Sequence, residues 1–375
     1  MKIVIAPDSY KGALSAREAA DAMAVGVQRA MPEADILTCP MGDGGEGTLS
    51  ALLAATDAEL RHAEVLDAYA RPVRAAWGWH AASGTAFVEL AEACGLPSVD
   101  LSRHALRDST TYGVGQLVVE ALDAGARSLV LTLGGSATND AGAGLLMALG
   151  GRLLNVEGEA LPLGAGRLAH LDRVDLSGLD PRLKDLSVMA AVDVDNPLLG
   201  DYGATVVYGP QKGASTEDVE ALEAALQVFA ERVSQATGQD VREAPGAGAA
   251  GGMGYAAMAF LGATLKPGIQ VVIEQAALAD KLEGADLVIT GEGRLDGQSL
   301  SGKTPIGVAR LAKSQGVPAI VLAGQLAGGW REAYEQGVTA AFSLTDGPMP
   351  LATAIRQTPS LLSDRCEAVV RLLAV

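Results

Sequence analysis

The sequence has few aromatic residues and little positive charge, and each shortage excludes a class of protein. Aromatic residues make up 4% of the 375 residues, whereas 49% of the residues are hydrophobic. This composition is typical of an α/β enzyme rich in small aliphatic side chains rather than of a binding module. The formal net charge is −17. Nucleic acids and anionic membranes are therefore excluded as expected partners, because most of the surface would repel them.

Cysteines and histidines are too few and too scattered to form the common metal or redox motifs. The three cysteines form no C-x-x-C pair, so the sequence predicts neither a disulfide framework nor a zinc site. H-E-x-x-H and G-x-S-x-G are also absent, which argues against a zinc or serine hydrolase. The longest apolar runs are too short for a signal peptide or a membrane span. We expect a soluble protein in the reducing cytoplasm.

Residues 297–304 read G-Q-S-L-S-G-K-T and match the G-x-x-x-x-G-K-[ST] phosphate-loop pattern. Glycines let backbone N–H groups converge on an anion, while a helix N-terminus and Lys303 add positive charge. The upstream apolar run 286–290 does not end at Gly297, however, and Pro305 directly follows the threonine. The pattern therefore predicts a strand at 286–290, a charged loop at 291–304 and a helix from Pro305, with a standard Walker fold as the less favoured alternative.

Both ends of the chain alternate between strand and helix patterns, and one of the predicted helices spans 330–336. Ser15 and Glu18 have the spacing of a capping box at the start of the first helix. Crossover helices between strands predict an open parallel sheet. In contrast, Glu59–Glu89 alternates polar and apolar residues as antiparallel strands do. The predicted fold is α/β with two domains: a discontinuous, flavodoxin-like parallel-sheet domain at 1–58 plus 268–375, and a mixed α/β domain inserted at 59–267.

Polar, glycine-rich loops follow five of the predicted strands. In open sheets ligands bind beyond the carboxyl ends of the strands, so these loops are the candidate site, although any one of them alone is more simply a solvated turn. Their bounds are 8–12, 42–47, 134–140, 193–196 and 291–303.

Three further patterns lie in the middle of the chain. Asp193 and Asp195 are two residues apart after an apolar run, a spacing that suits Mg²⁺ and equally suits a turn ended by Asn196-Pro197. Lys212 lies in a tight loop ahead of a helix, where it either holds a phosphate or is simply exposed. Residues 246–251 match G-x-G-x-x-G, but no strand precedes them, so a dinucleotide fingerprint is rejected.

Together the loops resemble the bacterial glycerate kinase family (type I). The resemblance runs nearly end to end, with Tyr10 where the family usually shows phenylalanine. It implies an ATP-dependent kinase that uses Mg²⁺ and phosphorylates D-glycerate, usually at the 2-hydroxyl, to give 2-phospho-D-glycerate and ADP. It also implies that the G-E-G-R-x-D stretch, rather than a Walker loop, is the working part of 291–303. The matching segments are 6–12, 42–48, 134–140, 193–197, 209–214 and 290–296.

Phosphoryl transfer requires charge neutralisation and positioning, and this requirement guides the predicted roles. We predict that Asp193 and Asp195 hold Mg²⁺ or accept the proton of the substrate hydroxyl. Arg294 and Lys303 are predicted to bind phosphate oxygens. Two further lysines, Lys11 and Lys212, would offset the remaining anionic charge. Donors for the triphosphate or the glycerate carboxylate are predicted at Ser136, Thr138 and Asn139. The other predicted binding residues are Asp8, Asp43, Glu46, Asn196, Glu292 and Asp296.

Two alternatives stay open at this stage. Residues 134–138, G-G-S-A-T, loosely resemble the glycine-serine loop of galactokinase-like enzymes, which would make the protein another small-metabolite kinase. The second alternative is a non-catalytic nucleotide sensor. The sequence also leaves open a homodimer, the 2- or 3-hydroxyl as acceptor, and which domain binds ATP.

Overall fold

The computed structural model describes residues 1–373, apart from the side chain of residue 301. Residues 374 and 375, the end of the predicted 268–375 segment, lie outside the described residues. The chain divides into two units. We call the first the parallel-sheet unit; it comprises Met1–Asp43, Gly47–Asp57 and the segment from Pro267 onward. The second, the mixed-sheet unit, comprises Gly44–Glu46 and Ala58–Lys266.

Thirteen strands occur within residues 1–373. They are β1 (Lys2–Ile5), β2 (Asp35–Thr38), β3 (Glu59–Leu66), β4 (Pro72–His80), β5 (Thr85–Glu89), β6 (Ser128–Thr132), β7 (Arg152–Leu154), β8 (Arg173–Asp175), β9 (Ser187–Ala191), β10 (Thr264–Lys266), β11 (Leu287–Leu295), β12 (Ala319–Leu326) and β13 (Val338–Ser343).

Twelve α-helices occur in the same residues. They are α1 (Ala16–Ala30), α2 (Thr48–Ala55), α3 (Leu90–Cys94), α4 (Tyr112–Asp123), α5 (Ala143–Ala148), α6 (Ala204–Tyr208), α7 (Thr216–Thr237), α8 (Ala249–Leu261), α9 (Gly268–Gln275), α10 (Leu278–Leu282), α11 (Thr304–Ser314) and α12 (Leu351–Leu373). Short 3-10 turns span Leu96–Ser98, Leu106–Asp108, Ala165–His170, Pro181–Asp185, Pro210–Lys212, Ser299–Ser301 and Trp330–Tyr334.

The parallel-sheet unit has the predicted flavodoxin-like topology. Its strand order is β13-β12-β11-β1-β2, and every neighbouring pair is parallel. Counted within the unit this is the order 2-1-3-4-5, whose switch point lies between β1 and β11. The Ser15–Glu18 capping box is confirmed, because Ser15 N–H donates to Glu18 Oε2 at 2.8 Å and Glu18 N–H donates to Ser15 Oγ at 3.3 Å. The start of α1 is fixed in this way.

The mixed-sheet unit contains a six-stranded sheet of order β10-β9-β6-β5-β4-β3. Strands β3, β4 and β5 pair antiparallel, as the alternation in Glu59–Glu89 predicted, and β5, β6, β9 and β10 pair parallel. The carboxyl ends of β6 and β9 are neighbours, because Thr132 pairs with Ala191. The loops that follow these two strands therefore leave the same edge of the sheet.

Two predicted boundaries were wrong. β11 runs to Leu295, so residues 291–295 are strand rather than loop, and the ladder with β12 continues to the pair Leu295–Leu326. Gly291 was interpreted as a loop glycine, but a Cβ there would lie 2.0 Å from Leu322 O, so the glycine allows close packing of neighbouring strands. The helix predicted at 330–336 is only the 3-10 turn Trp330–Tyr334.

Among the described residues, none of the helices combines the length and the hydrophobicity that crossing a membrane requires.

Candidate functional site

Three carboxylates gather at the carboxyl edge of the parallel-sheet unit. Asp8 follows β1, Asp43 follows β2, and Glu292 lies in the last part of β11. These strands are neighbours in the sheet. Ligands of open α/β sheets bind at this edge and near the switch point, so the carboxylates lie where the fold favours a ligand.

Asp8 is held by short hydrogen bonds. Its Oδ1 accepts from Ser9 N–H at 2.6 Å, and its Oδ2 accepts from Thr304 Oγ1 at 2.5 Å. Burial and, to a smaller extent, the negative charge of Asp43 raise the pKa of Asp8, the hydrogen bonds from Thr304 and Ser9 oppose the rise, and the resulting pKa is about 6. Asp8 therefore titrates close to neutral pH.

Glu292 is 8% exposed, and its Oε1 has no hydrogen-bond partner among the described residues. Burial, with smaller contributions from the charges of Asp8 and Asp43, raises the pKa of Glu292. A hydrogen bond with Ser299 and the positive charge of Lys303 oppose the rise, and the resulting pKa is about 7. A carboxyl group with such a pKa can gain or lose a proton at neutral pH, a property that clusters at functional sites.

A cavity of about 640 Å³ lies beside this edge, within the parallel-sheet unit. Arg294 is its most accessible charged group: its side chain is 63% exposed, and its Nε lies 3.0 Å from Asp296 Oδ2. Asp296 in turn accepts Gln298 N–H at 2.9 Å, which fixes the turn after β11. The lining residues are Arg294, Asp296, Gly297, Gln298, Lys303 and Gly328.

The segment 297–304 differs from a standard Walker loop. The strand before it ends at Leu295, a 3-10 turn intervenes at 299–301, and Lys303 is the N-cap of α11. Thr304 is fully buried, and its hydroxyl donates to Asp8. The arrangement still places Lys303 at the positive end of an eleven-residue helix, which suits an anion.

Lys11 and Glu46 are exposed, whereas Asp43 is half-buried. Asp43 is close enough to Asp8 and Glu292 for its charge to raise the pKa of both. Glu46 belongs to the short 44–46 segment that is assigned to the mixed-sheet unit. The structure therefore brings together Asp8, Asp43, Glu292 and Lys303, and leaves Lys11 and Glu46 at the surface.

A buried lysine is the main feature of the mixed-sheet unit. Lys212 is 3% exposed, and its Nζ donates to Ser136 Oγ and to Thr138 O, both at 2.8 Å. Burial lowers the pKa of Lys212, the negative charge of Asp140 opposes the fall, and the resulting pKa is about 7. The alternative that Lys212 is simply exposed is therefore wrong.

The loop after β6 supplies the other polar groups around Lys212. Asn139 is fully buried: its backbone N–H donates to Ser109 Oγ at 3.1 Å, and its Nδ2 donates to Thr205 Oγ1 at 2.9 Å. Within the described residues, Thr138 Oγ1 and Asn139 Oδ1 have no hydrogen-bond partner although both are buried. Buried polar atoms without partners are rare and usually have a functional reason.

Asp140, which was not predicted as a site residue, fixes this loop. Its carboxylate accepts hydrogen bonds from Thr111 N–H at 2.8 Å, Thr111 Oγ1 at 2.9 Å, Gly144 N–H at 3.0 Å and Gly142 N–H at 3.1 Å. Ser109 and Thr205 were missed as well. The available signal was the hydroxyl run 109–111 ahead of an apolar helix, but its pairing with residues 139 and 140 is a tertiary contact.

The glycine-rich segment 246–251, whose pattern does not fit a dinucleotide fingerprint, packs against the 138–141 loop. Gly251 has φ +68°, its carbonyl accepts Ala141 N–H at 2.9 Å, and a Cβ on it would lie 2.0 Å from Thr138 O. Ala141 and Ala250 also have positive φ, at +50° and +54°. Strained residues persist where their surroundings fix them, so this packing holds the 138–141 loop in place.

Asp193 and Asp195 lie in the irregular segment after β9, and both are exposed. Asn196, predicted as a binding residue, has its side chain occupied: its Nδ2 donates to Tyr202 O, and its Oδ1 accepts from Tyr208 Oη, both at 2.7 Å. In residues 1–373 no group of three or more His, Cys, Asp or Glu side chains is arranged to hold a metal ion. The two aspartates are thus a pair of oxygen donors, not a closed metal centre.

The chain is similar to proteins of known name along its whole length. Residues 3–374 match the sequence profile of the Glycerate kinase family. A protein from Escherichia coli named Glycerate 2-kinase is 46% identical over 356 residues, which cover 95% of this chain and 93% of that protein. Glycerate kinase from Bacillus subtilis is 46% identical over 354 residues, covering 94% and 93%. A crystal structure of a candidate glycerate kinase 2 from Salmonella typhimurium superimposes with a TM-score of 0.91 at 42% identity, covering 100% of this chain and 98% of that one.

Proposed function

Because the chain belongs to the glycerate kinase family and is a kinase, we propose that it transfers the γ-phosphoryl group of ATP to D-glycerate. The products are ADP and 2-phospho-D-glycerate. The name of the Escherichia coli relative, a glycerate 2-kinase, supports the 2-hydroxyl as acceptor. The observation that carries the proposal is the cavity lined by Arg294 and Lys303 beside the carboxyl edge of the parallel sheet.

This cavity has the properties that a polyphosphate requires. Lys303 supplies a full positive charge at a helix N-terminus, and Arg294 offers N–H donors beyond the one that it shares with Asp296. The chain as a whole has a net charge of −17, so an anionic ligand needs such a local basic site. We assign the triphosphate of ATP to the parallel-sheet unit on this basis.

The Lys212 cluster fits a small carboxylate. Among the described residues, Lys212 donates only to neutral oxygens, so no carboxylate is hydrogen-bonded to its charged group. Ser136 Oγ accepts from Lys212 and can donate its own proton to an anion. An incoming glycerate carboxylate would stabilise the charged lysine and raise the pKa of Lys212 from about 7. We therefore assign glycerate recognition to Lys212, Ser136 and Asn139 in the mixed-sheet unit.

The donor chemistry of Asp193 and Asp195 fits Mg²⁺, which takes one or two carboxylates and completes its shell with phosphate and water. Two exposed carboxylates alone do not fill that shell, so the ion would arrive with the nucleotide. When bound, Mg²⁺ neutralises charge on the phosphate oxygens. Asp193 and Asp195 would hold it or accept the hydroxyl proton. Glu292, with a pKa near 7, is the other group suited to accept a proton.

The proposal is tested by coupling ADP release to a spectroscopic signal with D-glycerate, L-glycerate, homoserine and a panel of sugars. We expect turnover with D-glycerate and a ³¹P spectrum that assigns the product as the 2-phosphate. Preferred turnover of a sugar or homoserine would favour another small-metabolite kinase, and ATP binding without turnover would favour a nucleotide sensor. A cytoplasmic location and a homodimer stay predictions from the sequence.

Lys303→Met provides a site control for this assay, with the exposed Lys313→Met on the same helix as its match. We expect Lys303→Met to raise the KM for ATP and Lys313→Met to behave as the unmodified protein. Equal behaviour of both variants would remove the cavity from the proposal.

A further inference from the structure

A second cavity, of about 420 Å³, adjoins the Arg294–Lys303 cavity within the parallel-sheet unit. It is formed by the continuous segment 326–332, which begins at the last residue of β12, and Gly328 lines both cavities. Two hydrogen bonds join the segments: Gly297 N–H donates to Gly328 O at 3.0 Å, and Ala327 N–H donates to Leu295 O at 2.8 Å. The two cavities are therefore neighbouring parts of one continuous surface.

The second cavity is lined by one aromatic side chain, Trp330, that does not belong to the buried hydrophobic residues. Of the three tryptophans in the sequence, Trp77 and Trp79 are buried in the core of the mixed-sheet unit, at 2% and 8% exposure. Trp330 is only half-buried and lines the cavity. Its ring packs edge to face with Tyr334 at 5.5 Å, and the Arg331 guanidinium lies 4.9 Å from its centroid. These contacts hold the indole in one orientation.

We propose that this second cavity binds the adenine base of ATP, with the base stacked on Trp330 and the phosphates at Arg294 and Lys303. The inference rests on the proposed function and names the base subsite of its nucleotide. A volume of about 420 Å³ lies in the range of small-molecule pockets. A flat aromatic surface next to a basic cavity is the pairing that a base and its polyphosphate need.

The backbone between the two cavities also suits a nucleotide. Gly329 has φ +82°, and a Cβ on it would lie 3.1 Å from Gly297 Cα. Two side chains could not both be placed where these glycines meet. The small residues at 297, 328 and 329 therefore leave the room through which a ribose would connect the base to the phosphates.

The test compares ATP with inorganic tripolyphosphate, which has the charge but no base. For Trp330→Ala we expect the Kd of ATP to rise roughly five- to a hundredfold, the usual contribution of a stacked base. The Kd of tripolyphosphate should stay within about twofold, because Arg294 and Lys303 are unchanged. Trp330→Phe keeps an aromatic face and should retain most of the ATP affinity. Both ligands are titrated by calorimetry, with thermal melting as the folding control.

A second readout needs no destabilising variant. ATP should quench the tryptophan emission of the unmodified protein, and tripolyphosphate should not; Trp330→Phe should abolish the quench, because Trp77 and Trp79 are buried elsewhere. Unchanged ATP affinity in Trp330→Ala, or equal losses for ATP and tripolyphosphate, would overturn the base subsite while leaving kinase activity intact. Failure of the unmodified protein to bind either ligand would overturn the subsite together with the phosphate site of the proposed function.

Discussion

The two units bury opposite charges, and burial moves both toward the same pH. In the parallel-sheet unit, burial raises the pKa of Asp8 to about 6 and that of Glu292 to about 7. In the mixed-sheet unit, burial lowers the pKa of Lys212 to about 7. One physical cause, loss of solvation of the charged form, therefore poises acids and a base at neutral pH.

The units differ in how these charges are compensated. Glu292 feels an opposite charge, that of Lys303, and lies beside a basic cavity. Among the described residues, Lys212 donates hydrogen bonds to Ser136 and Thr138. The negative charge of Asp140 acts on Lys212, but the Asp140 carboxylate accepts its four hydrogen bonds from Thr111, Gly142 and Gly144. In the described part of the chain Lys212 therefore has no carboxylate hydrogen-bonded to it, which is the basis for assigning it an anionic ligand.

The largest effect is expected for Lys212→Met, which keeps an unbranched side chain, one atom shorter, and removes its charge. We expect kcat/KM for D-glycerate to fall by roughly a hundredfold or more, since a preorganised donor to an anion is lost. The Kd of ATP should change little, because the cavity assigned to its phosphates is in the other unit. Steady-state kinetics with glycerate as the varied substrate, together with calorimetric ATP titration, measure both quantities.

The matched control is Lys184→Met, an exposed lysine in the same unit. It should leave both constants unchanged. If Lys212→Met folds normally by circular dichroism and has the same KM for glycerate as the unmodified protein, Lys212 does not bind the glycerate carboxylate. The proposed functional difference between the two units would then be wrong.

Asp193→Asn and Asp195→Asn test whether the mixed-sheet unit also holds the metal. Each should lower turnover by roughly a hundredfold and raise the Mg²⁺ concentration needed for half-maximal rate, since a hard anionic ligand becomes neutral. Asp201→Asn, exposed in the same region, is the control. Unchanged rate and Mg²⁺ dependence in both variants would remove these residues from the site.

Arg294→Ala and Thr304→Ala separate the two interpretations of the 291–304 segment. We expect roughly a tenfold or greater loss of kcat/KM for Arg294→Ala, which removes a phosphate donor. Thr304→Ala should be milder, because the Thr304 hydroxyl donates to Asp8. Losing that bond should raise the pKa of Asp8, whereas Thr304→Ser should restore it. A severe Thr304→Ala with a mild Arg294→Ala in the same kinetic assay would favour the Walker alternative.

The fold of both units could be predicted because local patterns carry it. Each of these patterns spans only a few residues and agrees with the structure: the capping box at Ser15, the crossover helices and the alternation in Glu59–Glu89. The end of β11 was mispredicted because glycine and charge in 291–295 are typical of a loop, while the ladder with β12 and the packing around Gly291 are long-range.

The candidate site was only partly accessible to sequence analysis. Glycine-rich loops at strand ends predicted Asp8 and Ser136 as candidates, and the tight loop ahead of a helix predicted Lys212. No local pattern indicates that Lys212 is buried, because the atoms to which it donates belong to a loop more than seventy residues away. For the same reason Asp140 and Thr205 were missed: their roles exist only in hydrogen bonds to residues distant along the chain.

The smallest effect, on stability, compares the two units directly through pH. Glu292 has its pKa raised from 4.5 to about 7, so the folded state binds more protons than the unfolded state between those values, and stability falls as pH rises through that window. Lys212 has its pKa lowered from 10.5 to about 7, so the unfolded state binds more protons there, and stability rises between pH 7 and 10.5. The two groups thus give slopes of opposite sign on either side of neutrality.

Glu292→Gln and Lys212→Met should each remove one of these slopes. Relative to the unmodified protein, Glu292→Gln should gain stability as pH rises from 4.5 to 7. Lys212→Met should be most stabilised below pH 7 and lose that advantage toward 10.5. Between pH 5 and 9 each slope extends over about two pH units, so differences of up to roughly 3 kcal/mol are expected, at about 1.4 kcal/mol per unit. Chemical denaturation at pH 5 to 9 measures them. If stability depended on pH in the same way in both variants and in the unmodified protein, folding would shift neither pKa. The contrast between the two units would then be wrong, because it depends on both shifts.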